Sequence, residues 1–185
     1  TIFYPVCLCD AIEFVVPEKS LKNDNLRVTG IFSDPDPAIN LVMKAVIKIR
    51  ETRDIPFLKI HLHKAIPVGS GLGGGSSDAS TMLKSLNRHF NLEIKNEKLM
   101  ELSLDLGSDC PFFIESQPSY AVGRGEILKP INPVLNGFHI LLFNPGVAVS
   151  TKEAYKHCLL KYHGNSLYEL INRQVADWKD IIMND

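Results

Sequence analysis

The residues best suited to chemistry lie in a glycine-rich segment, residues 67–79, with the sequence Pro-Val-Gly-Ser-Gly-Leu-Gly-Gly-Gly-Ser-Ser-Asp-Ala. Its glycines are Gly69, Gly71, Gly73, Gly74 and Gly75. Glycine leaves the backbone open to close approach by a ligand, and the free N–H groups that start a following helix attract an anion such as phosphate. A flexible linker is the alternative, but a linker needs neither a strand before it nor an apolar-faced helix after it. We therefore predict a phosphate-binding loop.

The segment departs from the common sequence patterns of phosphate loops. Gly-x-x-x-x-Gly-Lys-Ser/Thr is absent. Gly69, Gly71 and Gly74 satisfy Gly-x-Gly-x-x-Gly, but a segment so rich in glycine satisfies many patterns. The dinucleotide-binding fold also places its loop near the start of a parallel sheet, whereas several strands with antiparallel-type connections are predicted here. We therefore expect a different class of phosphate loop.

Polar side chains in and after the loop offer further chemistry. Ser76, Ser77 and Asp78 are predicted to cap the helix that follows. The hydroxyl of Ser76 or of Ser77 could also bind Mg²⁺, a cation that takes oxygen ligands. Farther along, Asp109 follows a helix-terminating glycine and precedes Pro111. Two interpretations of Asp109 stay open from the residues alone: a cap for the segment that follows Pro111, or a carboxylate that accepts a proton as general base.

Hydrophobic periodicity and turn residues define the elements that must position these groups. Predicted strands cover residues 2–8, 11–16, 26–32, 58–63 and 138–143, and predicted helices begin at Asn40 and cover residues 76–90 and 96–106. From about Ser150 the pattern becomes helical. Strands followed by helices indicate an α+β fold in which mostly antiparallel strands pack on helices. A change of character near residue 145 predicts two domains, residues 1–145 and residues 146–185.

Composition and charge exclude several classes of function. The chain has 185 residues, of which 45% are hydrophobic and 22% charged, as in an ordinary globular protein. Lys plus Arg number 20 and Asp plus Glu 21, for a net charge of -1, so the basic excess needed for nucleic-acid or membrane-surface binding is missing. No apolar run is long enough to span a bilayer. We expect neither a nucleic-acid partner nor a membrane partner.

Histidines and cysteines could in principle hold a metal. His61 and His63 share the polar face of a predicted strand, but no third ligand is implied, which favours a solvated strand face. The cysteines are Cys7, Cys9, Cys110 and Cys158. We interpret them as free thiols in a reducing compartment and expect a cytoplasmic location.

The glycine loop resembles the signature of the GHMP kinases, Pro-x-x-x-Gly-Leu-Gly followed by small residues and Ser-Ser. Four further segments are similar, in the same order, to segments of one branch of that family. They are residues 40–45, 106–113, 123–126 and 144–155. The resemblance implies a GHMP-kinase-like N-terminal domain that binds ATP and Mg²⁺, followed by the start of a helical or α+β C-terminal domain.

The resemblance also assigns residues to the nucleotide. The ATP phosphates would lie against Pro67, Gly69, Ser70, Gly71, Leu72, Gly73, Gly74, Gly75, Ser76 and Ser77. Lys64, Asn40 and Leu41 would lie near the adenine. The choice between Ser76 and Ser77 for the contact with Mg²⁺ stays open, and Ser77 is taken as the candidate.

On the acceptor side, the resemblance places Asp109 beside the reacting hydroxyl as general base. Tyr155 would stack on a cytosine ring, and Thr151 would contact the same ligand. Arg124 would either pair with Glu126 or meet a phosphate, and both possibilities stay open.

The branch of the family that these segments resemble phosphorylates a hydroxyl group of a cytidine-capped alcohol in the non-mevalonate route to isoprenoids. Kinases of homoserine, mevalonate or a sugar, and a non-catalytic nucleotide-binding module, remain alternatives. The bacterial cytoplasm is expected, a plastid is not excluded, and monomer and homodimer are both open. The family opens with a lysine-bearing strand and ends with a further glycine loop, neither of which occurs here. The sequence thus resembles a fragment, for which we expect little turnover by itself.

Overall fold

The computed structural model describes residues 1–19, 21–31, 40–143, 156 and 166–182. The strands are β1 (Ile2–Phe3), β2 (Ala11–Val15), β3 (Asn25–Gly30), β4 (Lys59–Lys64), β5 (Ser119–Val122) and β6 (Ile127–Pro130). The helices are α1 (Leu41–Arg50), α2 (Gly74–His89), α3 (Asn96–Leu104), α4 (Cys110–Glu115), α5 (Leu167–Leu170) and α6 (Trp178–Ile181), with a 3₁₀ turn at Val175–Asp177.

The described strands form two small sheets. In the first sheet β4 is central, antiparallel to β2 and parallel to β3. In the second sheet β5 is central, and both of its pairings are antiparallel. The one parallel pairing follows from α1, which carries the chain back so that β3 and β4 run in the same direction. Mostly antiparallel strands packed on helices confirm the predicted α+β class.

The core lies between the first sheet and the helices. Alternate residues of β4, Ile60 and Leu62, point inward because successive side chains of a strand face opposite sides. Helix α1 buries Val42, Ala45, Val46 and Ile49, and α2 buries Ala79, Met82, Leu83 and Leu86. These spacings of three and four residues place one apolar stripe on each helix. Each large side chain stabilises the fold by about 1.5–3 kcal/mol through its burial. The apolar face that the sequence predicts for the helix after the glycine loop is therefore confirmed.

Two predicted strands are wrong. The strand predicted over residues 2–8 ends at Phe3, because Pro5 has no N–H to donate to a ladder, and Cys7 and Cys9 beyond it are exposed. The buried strand predicted over residues 138–143 has no strand structure. Within it Leu141 is 92% exposed and Phe143 is 87% exposed. Apolar composition alone does not make a strand, since a ladder needs a partner, and the described part of the chain offers none to this segment.

The C-terminal part of the chain is described only over residues 166–182, apart from Lys156. It contains the short helices α5 and α6, in keeping with the helical pattern expected there. Ring contact between Tyr168 of α5 and Tyr120 of β5, with centroids 5.3 Å apart, places α5 against the second sheet. The division at residue 145 stays a prediction, because the chain around it lies outside the described residues. None of the described helices is long and apolar enough to cross a membrane.

Candidate active site

The glycine loop connects the end of β4 at Lys64 to the start of α2 at Gly74. Within it Gly69, Gly71 and Gly73 have φ angles of 73°, 76° and 68°. This left-handed region disfavours any residue with a Cβ, at a cost of roughly 1–2 kcal/mol. The alternation of glycine at 69, 71 and 73 is therefore a direct requirement of the backbone path.

The start of α2 presents free N–H groups. Gly73 is the N-cap and brings no side chain to it, and the first intrahelical bond runs from the Ser77 N–H to the Gly73 carbonyl at 2.8 Å. The N–H groups of residues 74–76 consequently have no acceptor within the helix. The first turn carries no acidic residue, so the positive end of the helix dipole is not neutralised locally. This is the environment that phosphate favours.

The prediction that Ser76, Ser77 and Asp78 cap this helix is wrong. The helix begins at Gly74, two residues before the predicted start, so all three side chains lie inside it. A run of glycines has low helix propensity, which moved the sequence-based start too far along the chain. In this structure the segment Gly74-Gly75 is nevertheless helical, because packing of the first turn compensates for that propensity.

The loop glycines make room for different neighbours. A Cβ added at Gly69 or Gly71 would meet nothing within 4 Å. One added at Gly73 would lie 2.9 Å from the Phe113 ring, and one at Gly74 would lie 3.0 Å from Cγ2 of Ile66. The first pair thus faces open space where a ligand can approach, and the second pair permits close packing of protein.

The start of α1 borders the loop. Asn40 is the N-cap of α1, and its Oδ1 accepts a hydrogen bond from the Val42 N–H at 2.9 Å. A Cβ added at Gly75 would lie 3.5 Å from Cδ1 of Leu41. The structure therefore brings Asn40 and Leu41 beside the glycine loop, where the resemblance placed the nucleotide.

Lys64 lies in a buried cluster of charges. Its Nζ donates to the Asp10 carboxylate and, at 2.7 Å, to Oδ2 of Asp78. The side chains of Lys64, Asp10 and Asp78 are only 8%, 2% and 6% exposed. Asp10 also accepts the backbone N–H groups of Ala65 and Ile66 at 2.6 and 2.8 Å. The ammonium group is thus bound on the inside of the fold, while the backbone of Lys64 still leads into the loop.

Burial and mutual contact shift the pKa values of all three charged groups. Burial raises the pKa of Asp78 to about 6, because the hydrogen bond and charge of Lys64 offset only part of the desolvation. Burial by itself would also raise the pKa of Asp10, but the hydrogen bonds from Lys64, Ile66 and Ala65 outweigh it and hold that pKa below its usual value. Burial likewise opposes the charge of Lys64, yet the two carboxylates raise its pKa above the ordinary value.

Sequence reasoning missed Asp10 and the partner role of Asp78. A signal for the cluster was present: Lys64 continues the inward-facing alternation of Leu58, Ile60 and Leu62. A lysine at such a position is buried and needs an acidic partner. Asp78 in turn precedes Met82 by four residues and therefore lies on the buried face of α2.

Asp109 immediately precedes α4. It occupies the N-cap position, yet its side chain makes no capping hydrogen bond, which argues against the capping interpretation. Its carboxylate is exposed, but surrounding protein still desolvates it enough to raise its pKa. A Cβ added at Gly125 would lie 3.6 Å from Oδ1 of Asp109 and 3.3 Å from the Phe3 ring. Gly125 is itself buried and packs beside this carboxylate and against the Phe3 ring.

Contacts between α2 and α4 bring Asp109 to the loop. The Ser80 hydroxyl donates to the Cys110 carbonyl at 2.7 Å, and Nζ of Lys84 donates to the Phe113 carbonyl at 2.8 Å. A Cβ added at Gly107 would lie 3.8 Å from Oγ of Ser76. The segment carrying Asp109 therefore lies at the end of α2 where the free N–H groups are.

The turn that contains Arg124 is organised by Glu126. Oε2 of Glu126 accepts the Arg124 N–H at 2.6 Å, and a Cβ added at Gly123 would lie 2.8 Å from the same carboxylate. Hydrogen bonds from its own N–H and from that of Arg124 lower the pKa of Glu126. Glu126 thus holds the turn through the backbone, and the exposed Arg124 guanidinium has no ion pair with any described residue.

The remaining predicted residues have separate outcomes. Tyr155 and Thr151 lie outside the described residues. His61 and His63 both form hydrogen bonds with the Thr29 hydroxyl, through Nε2 of His61 at 2.8 Å and Nδ1 of His63 at 3.0 Å. Over the described ranges no group of three or more His, Cys, Asp or Glu side chains is arranged to hold a metal. Cys7, Cys9 and Cys110 are free thiols, as predicted, and Cys158 lies outside the description.

Comparison with known protein families places this fold and loop among the GHMP kinases, since the profile of the GHMP kinases N terminal domain matches residues 40–117. A 4-diphosphocytidyl-2-C-methyl-D-erythritol kinase of Bacteroides fragilis is 42% identical over 185 residues, which are 100% of this chain and 68% of the relative. The enzyme of the same name from Porphyromonas gingivalis is 41% identical over 189 residues. The match covers 100% of this chain and 68% of that relative. The chain belongs to the family of 4-diphosphocytidyl-2-C-methyl-D-erythritol kinases.

A solved structure agrees with this assignment. The crystal structure of a 4-(cytidine 5'-diphospho)-2C-methyl-D-erythritol kinase is similar with a TM-score of 0.64 and 31% identity, covering 84% of this chain and 53% of that one. The predicted family, the GHMP-type fold and the class of small-molecule kinase are thereby confirmed. ATP as a substrate follows from membership of a kinase family.

Proposed function

We propose that this chain transfers the γ-phosphate of ATP to the 2-hydroxyl of 4-diphosphocytidyl-2-C-methyl-D-erythritol, in the non-mevalonate synthesis of isoprenoid precursors. The observation that carries the proposal is the meeting of two features at one end of α2. One is the set of N–H groups at residues 74–76 without an intrahelical acceptor, and the other is the adjoining segment with Asp109. The names of the relatives supply the acceptor molecule.

The nucleotide would lie along the glycine loop. The open space at Gly69 and Gly71 lets phosphate oxygens approach the backbone, and the free N–H groups at the start of α2 donate to them. Asn40 and Leu41 border the loop at Gly75 and would form the adenine side. Lys64 would contribute there through its backbone, because its ammonium group is bound by two carboxylates.

Asp109 would act on the acceptor hydroxyl. As the hydroxyl oxygen bonds to the γ-phosphorus, the bond from phosphorus to ADP breaks, and the hydroxyl proton passes to Asp109. Partial desolvation raises the pKa of this carboxyl group, which makes its ionised form a stronger base. Asp109 is exposed, so an acceptor hydroxyl can approach its carboxylate from solvent.

The residues at the start of α2 also fit Mg²⁺. The Ser77 hydroxyl makes no hydrogen bond with another described side chain, whereas Ser76 lies against Gly107 and the Cys110 thiol. We therefore assign the contact with Mg²⁺ to Ser77, an oxygen ligand of the kind this cation prefers. Bound Mg²⁺ would neutralise charge on the phosphates.

Tyr155 and Thr151 remain our proposed contacts with the cytidine part of the acceptor. Stacking of a flat base on an aromatic ring contributes roughly 1–3 kcal/mol.

We also propose a cytoplasmic location, in agreement with the free thiols at Cys7 and Cys9. Monomer and homodimer are both compatible with this function.

Replacing Asp109 by Asn tests the proposal. The variant Asp109→Asn, made in the protein expressed from its complete reading frame, keeps the shape of the side chain but removes the charge and the proton acceptor. General-base assistance contributes roughly 10²–10⁴-fold, so we expect kcat to fall by that range. The affinity for ATP and the Tm should change little, because Asp109 makes no capping hydrogen bond. Steady-state kinetics, ATP titration and thermal melting measure the three quantities.

Asp105→Asn is the matched control, because it removes an exposed carboxylate from the same stretch of chain, one that pairs with Lys48 on the surface. Its kcat should equal that of the parent. Full activity of Asp109→Asn would leave the general-base role without support.

The identity of the acceptor is tested separately. The rate of phosphate transfer is measured with the cytidine-capped alcohol and, in parallel, with homoserine, mevalonate and a sugar. Faster transfer to any of these three would contradict our assignment.

A further inference from the structure

The buried cluster of Asp10, Lys64 and Asp78 gathers the two ends of the glycine loop at one point. Asp10 directly precedes β2, Lys64 is the last residue of β4, and Asp78 lies in the second turn of α2. Lys64 bridges the two carboxylates, one from each side. Asp10 in addition accepts the N–H groups of Ala65 and Ile66, where the loop begins.

The cluster adjoins the amides that would bind phosphate. A Cβ added at Gly74, the first residue of α2, would lie 3.4 Å from Nζ of Lys64 and 3.0 Å from Cγ2 of Ile66. The start of α2 thus packs directly on Lys64 and on the beginning of the loop. The Lys64 ammonium group therefore lies next to the residue at which the free N–H groups begin.

The charges of the cluster leave Lys64 no capacity for a phosphate. Its side chain is only 8% exposed, and its ammonium group already donates to two carboxylates. Two anions around one cation make the surroundings of Nζ negative, which disfavours a third anion at that point. A role in holding the loop fits these contacts better than direct contact of the ammonium group with ATP.

We propose that Asp10 and Asp78 are positioning residues which, through Lys64, hold the two ends of the glycine loop at the spacing that ATP requires. This proposal rests on the proposed function, because it takes the loop to be the ATP site. The two carboxylates act on the loop and not on the reacting atoms. Their loss should therefore weaken ATP binding and leave the chemical step largely intact.

The variants Asp10→Ala and Asp78→Ala test the proposal in the protein expressed from its complete reading frame. Each leaves Lys64 with one carboxylate, so neither creates a buried charge without a partner. We expect Kd and KM for ATP to rise about tenfold, which corresponds to about 1.4 kcal/mol, with kcat within about threefold of the parent. Asp78→Asn keeps an acceptor oxygen for Lys64 and should restore most of the ATP affinity.

Asp24→Ala is the matched control. Asp24 precedes β3, has a side chain only 6% exposed, pairs with Arg50 at 2.7 Å and accepts the Leu58 N–H at 2.8 Å. It thus resembles Asp10 in burial and in partners, but it lies at the other end of β4, away from the loop. We expect Asp24→Ala to lower the Tm about as much as Asp10→Ala does and to leave the ATP affinity unchanged.

The outcomes separate the two proposals. Hydrogen exchange of the free protein should speed up over residues 65–77 in Asp10→Ala and not in Asp24→Ala, a readout that needs no nucleotide. If the parent binds ATP and both alanine variants bind it equally well, the positioning role is wrong while the proposed function stands. If the parent does not bind ATP, the proposed function is wrong and the positioning role falls with it.

Discussion

At the scale of single residues, the glycines of the loop divide by what surrounds them. Gly69 and Gly71 face open space, whereas Gly73 and Gly74 allow Phe113 and Ile66 to pack against the backbone. Gly71 and Gly73 share the same left-handed conformation, with φ of 76° and 68°, so alanine is strained to a similar degree at both. The difference between them is therefore the neighbour that a methyl group would meet.

This difference predicts two distinct alanine variants. Gly71→Ala should lower the free energy of unfolding by about the backbone strain of 1–2 kcal/mol and weaken ATP binding, because the methyl group occupies the space of the ligand. Gly73→Ala should cost more stability, since its Cβ would lie 2.9 Å from the Phe113 ring. Urea unfolding and ATP titration of both variants measure these effects. Equal stability of the two would contradict the assignment of Gly73 to protein packing.

Residue identity predicted the loop itself but not its supports. The glycines at 69, 71 and 73 indicate left-handed turns and a close backbone approach, because glycine adopts this conformation without the steric cost that a Cβ brings. The cluster around Lys64 depends on Asp10, which is 54 residues away in the sequence, and such a pairing is decided by the tertiary fold. Alternation along β4 indicates that Lys64 is buried, but it does not reveal which carboxylate meets it.

At the scale of elements, α2 combines an apolar stripe with one buried carboxylate. Asp78 lies on the same face as Met82 and Leu86, and Lys64 is its partner. Its pKa is raised from 3.8 to about 6. The folded chain consequently binds the Asp78 proton more tightly than the unfolded chain does. The stability that this group contributes is present below about pH 4 and is lost as the pH rises through about 6.

We therefore expect Asp78→Asn to flatten the dependence of stability on pH between pH 4 and pH 6. A difference of about two pKa units corresponds to about 3 kcal/mol over that interval. The pKa of Asp10 is lowered, so its contribution to the pH dependence of stability falls below about pH 4 and does not mask the contribution of Asp78. Near pH 8 the variant should be at least as stable as the parent. Unfolding in urea at several pH values measures both slopes, and identical slopes would contradict the raised pKa of Asp78.

Helices were better predicted than strands for a physical reason. The apolar stripe of α1 and that of α2 each consist of residues from one continuous segment, so local periodicity suffices to locate them. A strand also needs a partner, and its sequence does not say where that partner is. The segment 138–143 has the apolar composition of a buried strand, yet its Leu141 and Phe143 are exposed where no described strand pairs with them.

At the scale of the whole molecule, the two sheets differ in their share of the core. The main apolar cluster draws on α1, β4, α2, α3 and α4, and none of its buried members comes from β1, β5 or β6. β1 has only 2 residues, and β6 is largely exposed. The first sheet and its helices therefore carry most of the stability of the described chain.

Hydrogen exchange should follow this division. We expect the amides of β4 and α2 to exchange last, by global unfolding, and those of β5 and β6 to exchange much earlier by local opening. Mass spectrometry of exchange over minutes to hours resolves these segments. Protection of β5 and β6 equal to that of β4 would show that the second sheet unfolds only with the core.

The attachment of the glycine loop at both ends has a thermodynamic consequence for its ligand. A glycine-rich loop without attachments would lose much conformational entropy on binding a phosphate, since glycine has more backbone conformational freedom than any other residue. Here Asp10 holds the backbone at residues 65 and 66, and Lys64 joins that point to α2 through Asp78. Much of the ordering is thereby completed during folding. Nucleotide association with this loop should carry a small entropic penalty, which is the advantage of a preorganised receptor.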